Sequence, residues 1–362
     1  MTLPARATPR VPADGPPASS SSANGVARPK APARLTVRYH GAPSRGLVFG
    51  DTYVYSDYFT CAWMMCRDEP GEKASFRLEI DAPAGLRVSA SGHLVRAVPG
   101  PPGWVRWTWD EQRPYSPYLF GFAAGAFVEA SLPSISAKIR LLGISETPEA
   151  LVRKFQDTPR ILAFLQARAG VPFPHDNYTQ VVVSGGEAQE KSSFSIIGKE
   201  NIDPILDDPH EDWAIVHELA HQWWGNLVTC RSWAHFWLNE GMTSFMVAAY
   251  KEERWGRPAY DREMALFEKR RQQAIDASFD VPLAYAKPYP SLRIKRAITY
   301  SKGALFLHLL RERLGDASFW DGIQRYTRTH AGKTVESRDL RVALEAASGK
   351  DLAPLFQQWV GD

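Results

Sequence analysis

The chain has 362 residues, of which 44% are hydrophobic, 12% aromatic and 23% charged; these values exclude a disordered or fibrous polymer and predict two or three globular domains. The net charge is +3, but the first 34 residues hold Arg6, Arg10, Arg28, Lys30 and Arg34 against Asp14, so this segment alone carries +4. The remainder sums to about −1 and offers no basic field for nucleic acid.

Residues 1–34 hold seven prolines, the run Ser19-Ser20-Ser21-Ser22 and no aromatic residue, so they read as a flexible tail. No long apolar run follows Met1 and no stretch approaches the ~20 apolar residues that span a bilayer. A cytoplasmic protein without a membrane span is expected. Cys61, Cys66 and Cys230 form an odd set without a paired CxxC arrangement, which predicts reduced thiols rather than a disulfide framework or a cysteine zinc site.

From 35 to 140 the pattern is that of strands and turns. Ala74, Phe76, Leu78 and Ile80 alternate with polar residues, as do Leu86, Val88 and Ala90, then Val105, Trp107 and Trp109. Pro70-Gly71, Pro83-Ala84-Gly85 and Gly100-Pro101-Pro102-Gly103 separate them. This is an antiparallel β domain.

Over 141–362 the period becomes helical. A helix is expected over 150–170, followed by a short buried strand at Val181-Val182-Val183 and a turn at Gly185-Gly186. Asp208, Pro209 and Glu211 read as a cap, a first-turn proline and a capping-box acid for a helix running to about Trp224. Further helices are expected over 238–255, 297–314, 320–329 and 337–347. The fold class is α+β.

The predicted helix before Gly225 contains His217-Glu218-Leu219-Ala220-His221. Residues four apart share a helical face, so both imidazoles can converge on one metal ion, and Glu218 can reach a water on it. A hydrolytic zinc site needs a third protein ligand and an open position. Glu240, in Leu238-Asn239-Glu240-Gly241 at the start of the following helix, is the candidate. His235 has no ligand spacing. Lys269-Arg270-Arg271 reads as a solvated helix face, and Trp223, Trp224, Trp233 and Trp237 as a packing shell around the metal helices.

The run from His217 through Gln222-Trp223-Trp224-Gly225-Asn226 to Thr229, with Asn239-Glu240-Gly241 beyond it, resembles the zinc-helix signature of the M1 family of zinc metallopeptidases. The resemblance implies one Zn2+ per chain on His217, His221 and Glu240, with Glu218 as general base. Tyr300-Ser301-Lys302-Gly303-Ala304 is similar to the family's Tyr-x-Lys-Gly-Ala helix, which makes Tyr300 the donor to the developing oxyanion. Glu187-Ala188-Gln189-Glu190-Lys191 is aligned with the family's Gly-x-Met-Glu-Asn loop, which implies substrate binding at Glu187, Ala188, Gln189 and Glu190, with Glu190 anchoring the peptide's α-ammonium. Lys191, in place of Asn, adds a positive charge beside that anchor. The match runs from about Leu47 to Trp359. It implies a truncated, saddle-like β domain followed by a thermolysin-like catalytic domain, without the family's long C-terminal helical domain.

The function so implied is a zinc aminopeptidase acting on peptides with a free N-terminus, with the cleft either open to longer peptides or covered by a second copy of the chain. The rivals are a zinc hydrolase without exopeptidase preference, of endopeptidase or epoxide hydrolase type, and a non-catalytic scaffold module.

Overall fold

The computed structural model describes residues 34–361, so the tail expected at 1–34 lies almost wholly outside the described residues. The chain divides into a unit ending at Ala42 and a compact unit from Pro43 to Asp362. Of the first unit, residues 34–42 are exposed and without regular secondary structure.

The second unit opens with strands, because alternating apolar residues between Gly and Pro turns bury one face of a pleated ribbon. Ala74–Pro83, Trp104–Tyr115 and His93–Pro99 form a three-stranded antiparallel sheet with the long central strand in the middle. Leu47–Phe49, Tyr53–Ser56, Phe122–Gly125 and Arg87–Ala90 form a four-stranded antiparallel sheet. Ala82, Val88, Ala90, Trp109 and Ala124 make the buried core that these strands share.

A five-stranded sheet carries the chain into its helical part, in the order Ala188–Lys191, Phe194–Gly198, Asn177–Val183, Lys138–Gly143, Val128–Leu132. Its three inner strands are parallel and its two edges antiparallel. The inner strand Asn177–Val183 is buried almost end to end, as expected where both faces are covered. The division expected at 140/141 falls inside the strand Lys138–Gly143.

The helices behind the sheet enclose the larger core. Buried Trp223, Trp224 and Trp237 each satisfy their indole N–H, on the Val171 carbonyl at 3.2 Å, Thr327 Oγ1 at 3.0 Å and Ser337 Oγ at 3.0 Å. Trp233 departs from the expected packing shell: it is 37% exposed and lines a cavity.

Three expectations are corrected. The capping box at Asp208 does not form; Asp208 Oδ1 accepts the His210 N–H in a local turn, and the helix begins at Trp213 and ends at Ala220. The segment expected from 297 begins as a helix at Leu292, widens into a π-helix over Ala297–Lys302 and continues to Leu314. Cys61 and Cys66 are not reduced but disulfide-bonded, their Cα atoms 5.1 Å apart, because the 3-10 turn Thr60–Ala62 folds the chain back on itself; Cys230 is free and buried. Denaturing alkylation without reductant should therefore label one thiol per chain, and three labelled thiols would contradict the bond.

His175 supplies a pH test of the junction between the β-strands and the helices. Its side chain is buried, Tyr115 Oη lies 3.1 Å from Nε2, and burial, aided by Arg113, lowers its pKa from 6.5 to about 3. The unfolded chain thus binds the extra proton between those values, and stability is lost as pH falls from about 6.5 towards about 3. Thermal melts over that range should fall less steeply for His175→Phe than for the parent, and equal slopes would contradict the assignment.

Candidate metal centre and active site

The metal helix is Trp213–Ala220, and it is buried almost throughout. Helical spacing sets His217 and His221 one turn apart, with their Nε2 atoms 3.1 Å from each other. The helix Trp237–Trp255 brings Glu240 Oε2 to 3.3 Å from His217 Nε2 and 3.4 Å from His221 Nε2. His221 Nδ1 lies 3.1 Å from the Trp224 carbonyl, which fixes the ring and leaves Nε2 for a metal.

Asn239 holds the start of the returning helix. Its Oδ1 accepts the Cys230 N–H at 3.1 Å, and its Nδ2 donates to Tyr118 Oη, also at 3.1 Å, while Tyr118 Oη donates to the Gly225 carbonyl at 3.2 Å. Tyr118 comes from the strand region, so the front of the molecule braces both metal-binding segments.

The π-helix brings Tyr300 onto His217, with ring centroids 5.6 Å apart and planes 9° from parallel. It can do so because Gly241 and Gly303 let two helices nearly touch: a Cβ on Gly303 would stand 2.9 Å from Gly241 Cα. Burial, reinforced by Glu240, keeps the Tyr300 pKa well above its ordinary value, so the phenol holds its proton and remains a donor.

The edge strand Ala188–Lys191 lies against the metal helix. Gln222 Nε2 and Asn226 Nδ2 donate to the Lys191 carbonyl at 2.9 and 3.2 Å, and Gln222 Oε1 accepts the Ser193 N–H at 3.1 Å. This docking puts a carboxylate oxygen of Glu190 within 4.8 Å of donor atoms on Glu218 and His221. Strand alternation sends Gln189 and Lys191 the other way. Gln189 is buried and hydrogen-bonded to Asp57, and Lys191 Nζ donates to the carbonyls of Tyr118 at 3.0 Å and Asp57 at 3.3 Å. Burial lowers the Lys191 pKa to about 8, against the pull of Glu190 and Asp57. The Ala188 carbonyl accepts the Tyr58 hydroxyl at 2.6 Å, and Glu187 is exposed at the strand entry. Glu190 is thus the loop side chain brought to the metal helix.

Glu190, Glu218 and Glu240 are all buried. Burial pushes the Glu190 and Glu218 carboxyls up, His221 partly opposing it. Burial would raise Glu240 too, but the charge of His221 and the contact with both imidazoles hold it below the usual carboxylate range. Burial would lower His221, yet Glu190 and Glu240 outweigh it and set its pKa at about 10. His217 is lowered, chiefly by burial. The group as a whole asks for a positive charge.

Two sets of donors could hold a cation: His217, His221 and Glu240, or Glu190, Glu218 and His221. Glu218 Oε2 and Glu240 Oε2 are buried without a hydrogen-bond partner, a cost that a metal with its bound water removes. Two imidazole nitrogens and one carboxylate are the donors of a hydrolytic zinc site, so the residues fit zinc.

A model of the peptidase family M1 domain matches residues 153–359. The chain belongs to peptidase family M1. Aminopeptidase 2 of Candida albicans is 25% identical over 81% of this chain and 33% of its own length, and aminopeptidase N of Lactococcus lactis is 27% identical over 82% and 36%. The chain thus spans about a third of the length of these curated relatives. An M1 zinc metallopeptidase from Deinococcus radiodurans superposes with a TM-score of 0.71 at 23% identity, covering 87% of this chain and 71% of that one. A mutant two-domain M1 zinc metallopeptidase bound to L-tryptophan gives 0.73 at 22%, with the same coverage. At these identities the likeness to the solved structures is one of fold, and the M1 architecture here is α+β, strands first and helices after. Zinc is the cofactor of these M1 metallopeptidases.

Sequence reasoning did not single out Gln222, Asn226, Asn239, Tyr118 or Tyr58. The first three lay inside M1-like motifs as polar residues among apolar ones, which was a usable signal; Tyr118 and Tyr58 act through tertiary contacts alone. Gly303→Ala should cost about 1–3 kcal/mol by overpacking the helix contact, seen as a lowered Tm together with weaker zinc retention. An unchanged Tm would show that the two helices can separate freely.

Proposed function

We propose that this M1 chain is a zinc-dependent aminopeptidase that removes N-terminal residues from peptides. What carries the reading is the convergence of Glu190, Glu218 and His221 within 4.8 Å: an ammonium anchor stands beside a base next to the metal ligands.

His217, His221 and Glu240 would hold the zinc. When bound, zinc acidifies a water and polarises the scissile carbonyl. Glu190 would pair with the substrate's α-ammonium in a site dry enough to make that pairing strong. This fixes the register at the first peptide bond and makes the activity an exopeptidase one. Glu218 would take the proton from the attacking water and pass it to the leaving amine. Tyr300 would donate its hydroxyl proton to the oxygen that becomes negative. Lys191 takes no part at the ammonium, since its Nζ is bound to two carbonyls on the other side of the strand. Ala188, on the same strand face as Glu190, would line the first residue's position; Gln189, held on Asp57, supports the strand, and Glu187 lies exposed at its entry.

No described helix is long and apolar enough to cross a membrane. A cytoplasmic location is part of this proposal only where Cys61 and Cys66 are reduced in the cell, since disulfides persist in oxidising compartments. The alkylation count on freshly extracted protein distinguishes the two settings.

Glu218→Gln should keep zinc and lower turnover of amino-acid anilides about 10²–10⁴-fold; wild-type turnover would sink the proposal. N-acetylation of a peptide substrate should abolish its hydrolysis, and Glu190→Gln should raise KM for the free-amine form far more than it lowers kcat. Equal cleavage of the acetylated peptide would point instead to a zinc hydrolase without exopeptidase preference.

A further inference from the structure

Between Val281 and Arg311 the chain contains no Asp or Glu, but it contains Lys287, Arg293, Lys295, Arg296, Lys302 and Arg311. Two of these bases are neutralised in the structure: Lys302 pairs with Asp280 at 2.7 Å, and Arg311 with Glu252 and Asp316. The charged groups of Lys287, Arg293 and Arg296 make no ion pair or hydrogen bond among the described residues, and Lys295 Nζ rests 4.7 Å over the Phe236 ring. Cations gathered on one short segment with no acid among them create a positive local field that attracts an anion.

Two of them, Lys287 and Lys295, line a cavity of about 480 Å³ whose walls also include Trp233, Phe236 and Thr299. Thr299 adjoins Tyr300, and the Phe236 carbonyl accepts the Glu240 N–H at 3.1 Å, so the cavity lies one residue from Tyr300 and one turn from Glu240. None of its walls comes from the strand that carries Glu190. Lys295 and Thr299 stand one turn apart on the cavity face. Arg296 and Tyr300 stand one turn apart on the adjacent face, where the Tyr300 ring stacks on His217. The segment 292–302 therefore faces the metal centre through Tyr300 and the cavity through Lys295 and Thr299, with Arg296 one turn before Tyr300.

We propose that this segment and cavity form a carboxylate-binding subsite for the part of the peptide beyond the scissile bond, with Arg296 and Lys295 as the residues that select it. The inference rests on the aminopeptidase reading, since that reading places the amine at Glu190 and sends the leaving portion towards Tyr300. The carboxylate is either the C-terminus of a short peptide or an acidic side chain just after the cleaved bond. Both present the same group to a guanidinium, which binds it through two parallel hydrogen bonds.

Three peptides separate the sources: Leu-Gly-Gly, its C-terminal amide, and Leu-Asp-Gly amide. The zinc-loaded full chain should show kcat/KM about ten-fold or more higher for at least one carboxylate peptide than for Leu-Gly-Gly amide, and 0.5 M salt should shrink that ratio. A preference for Leu-Gly-Gly assigns the subsite to chain termini, and one for Leu-Asp-Gly amide to acidic side chains. Arg296→Gln with Lys295→Gln, checked for an unchanged Tm, should bring the ratio close to one through KM. Equal rates on all three peptides in the parent would overturn the subsite while leaving the aminopeptidase reading intact. If no peptide is cleaved, the aminopeptidase reading fails, and calorimetric binding of the three peptides to Glu218→Gln decides the subsite: a ten-fold tighter carboxylate peptide supports it, and equal affinities overturn it.

Discussion

Three buried carboxylates, Glu190, Glu218 and Glu240, are packed around two buried imidazoles. In such surroundings like charges cannot be screened, and a carboxylate without a partner costs several kcal/mol or gives up its charge. Burial pushes Glu190 and Glu218 towards the protonated form, while Glu190 and Glu240 outweigh burial and hold His221 towards its charged form. Much of the surrounding structure holds these groups in place against their repulsion. The zinc-helix polar residues Gln222 and Asn226 grip the edge strand, Asn239 ties the returning helix to Tyr118, and the Gly241–Gly303 contact fixes Tyr300.

The front sheets take part in this indirectly. Tyr118 meets both metal-binding segments, Asp57 engages the edge strand through Gln189, and Lys73 Nζ donates to the carbonyls of Asn226 and Leu227 at 3.2 and 3.1 Å. The β region is thus a brace for the centre, and in turn the centre sets the geometry of the interface between strands and helices. On the proposed reading the site would have an ammonium side at Glu190 and a cationic side at Arg296. A peptide with a positive start and a negative group further on would read both.

The sequence carried the candidate metal ligands plainly, because helical spacing puts His217 and His221 on one face and a hydrolytic zinc site needs a third protein ligand, for which Glu240 stood at the start of the next helix. It also carried the strand-to-helix order, since alternation and a 3.6-residue period are local properties. It did not carry the start of the metal helix: Asp208 had the composition of a cap, but its side chain was satisfied two residues on, in a turn. The helix Arg257–Asp276 was read only at Lys269-Arg270-Arg271, as a solvated helix face, because few of its residues, such as Tyr260, Met264 and Phe267, are buried, leaving a weak periodic signal. The Cys61–Cys66 bond was hidden by the odd cysteine count, which says nothing of which pair a tight turn brings together. Arg296 carried no sequence signal; its position one turn before Tyr300 is what sets it apart.

The most direct test is anomalous diffraction at the zinc edge from crystals of the zinc-loaded protein, because the centre offers two sets of donors that share His221. The account predicts one strong peak about 2.0–2.2 Å from His217 Nε2, His221 Nε2 and a Glu240 oxygen, with Glu190 and Glu218 outside bonding distance. A peak held instead by Glu190, Glu218 and His221, or no peak at this centre, would contradict it.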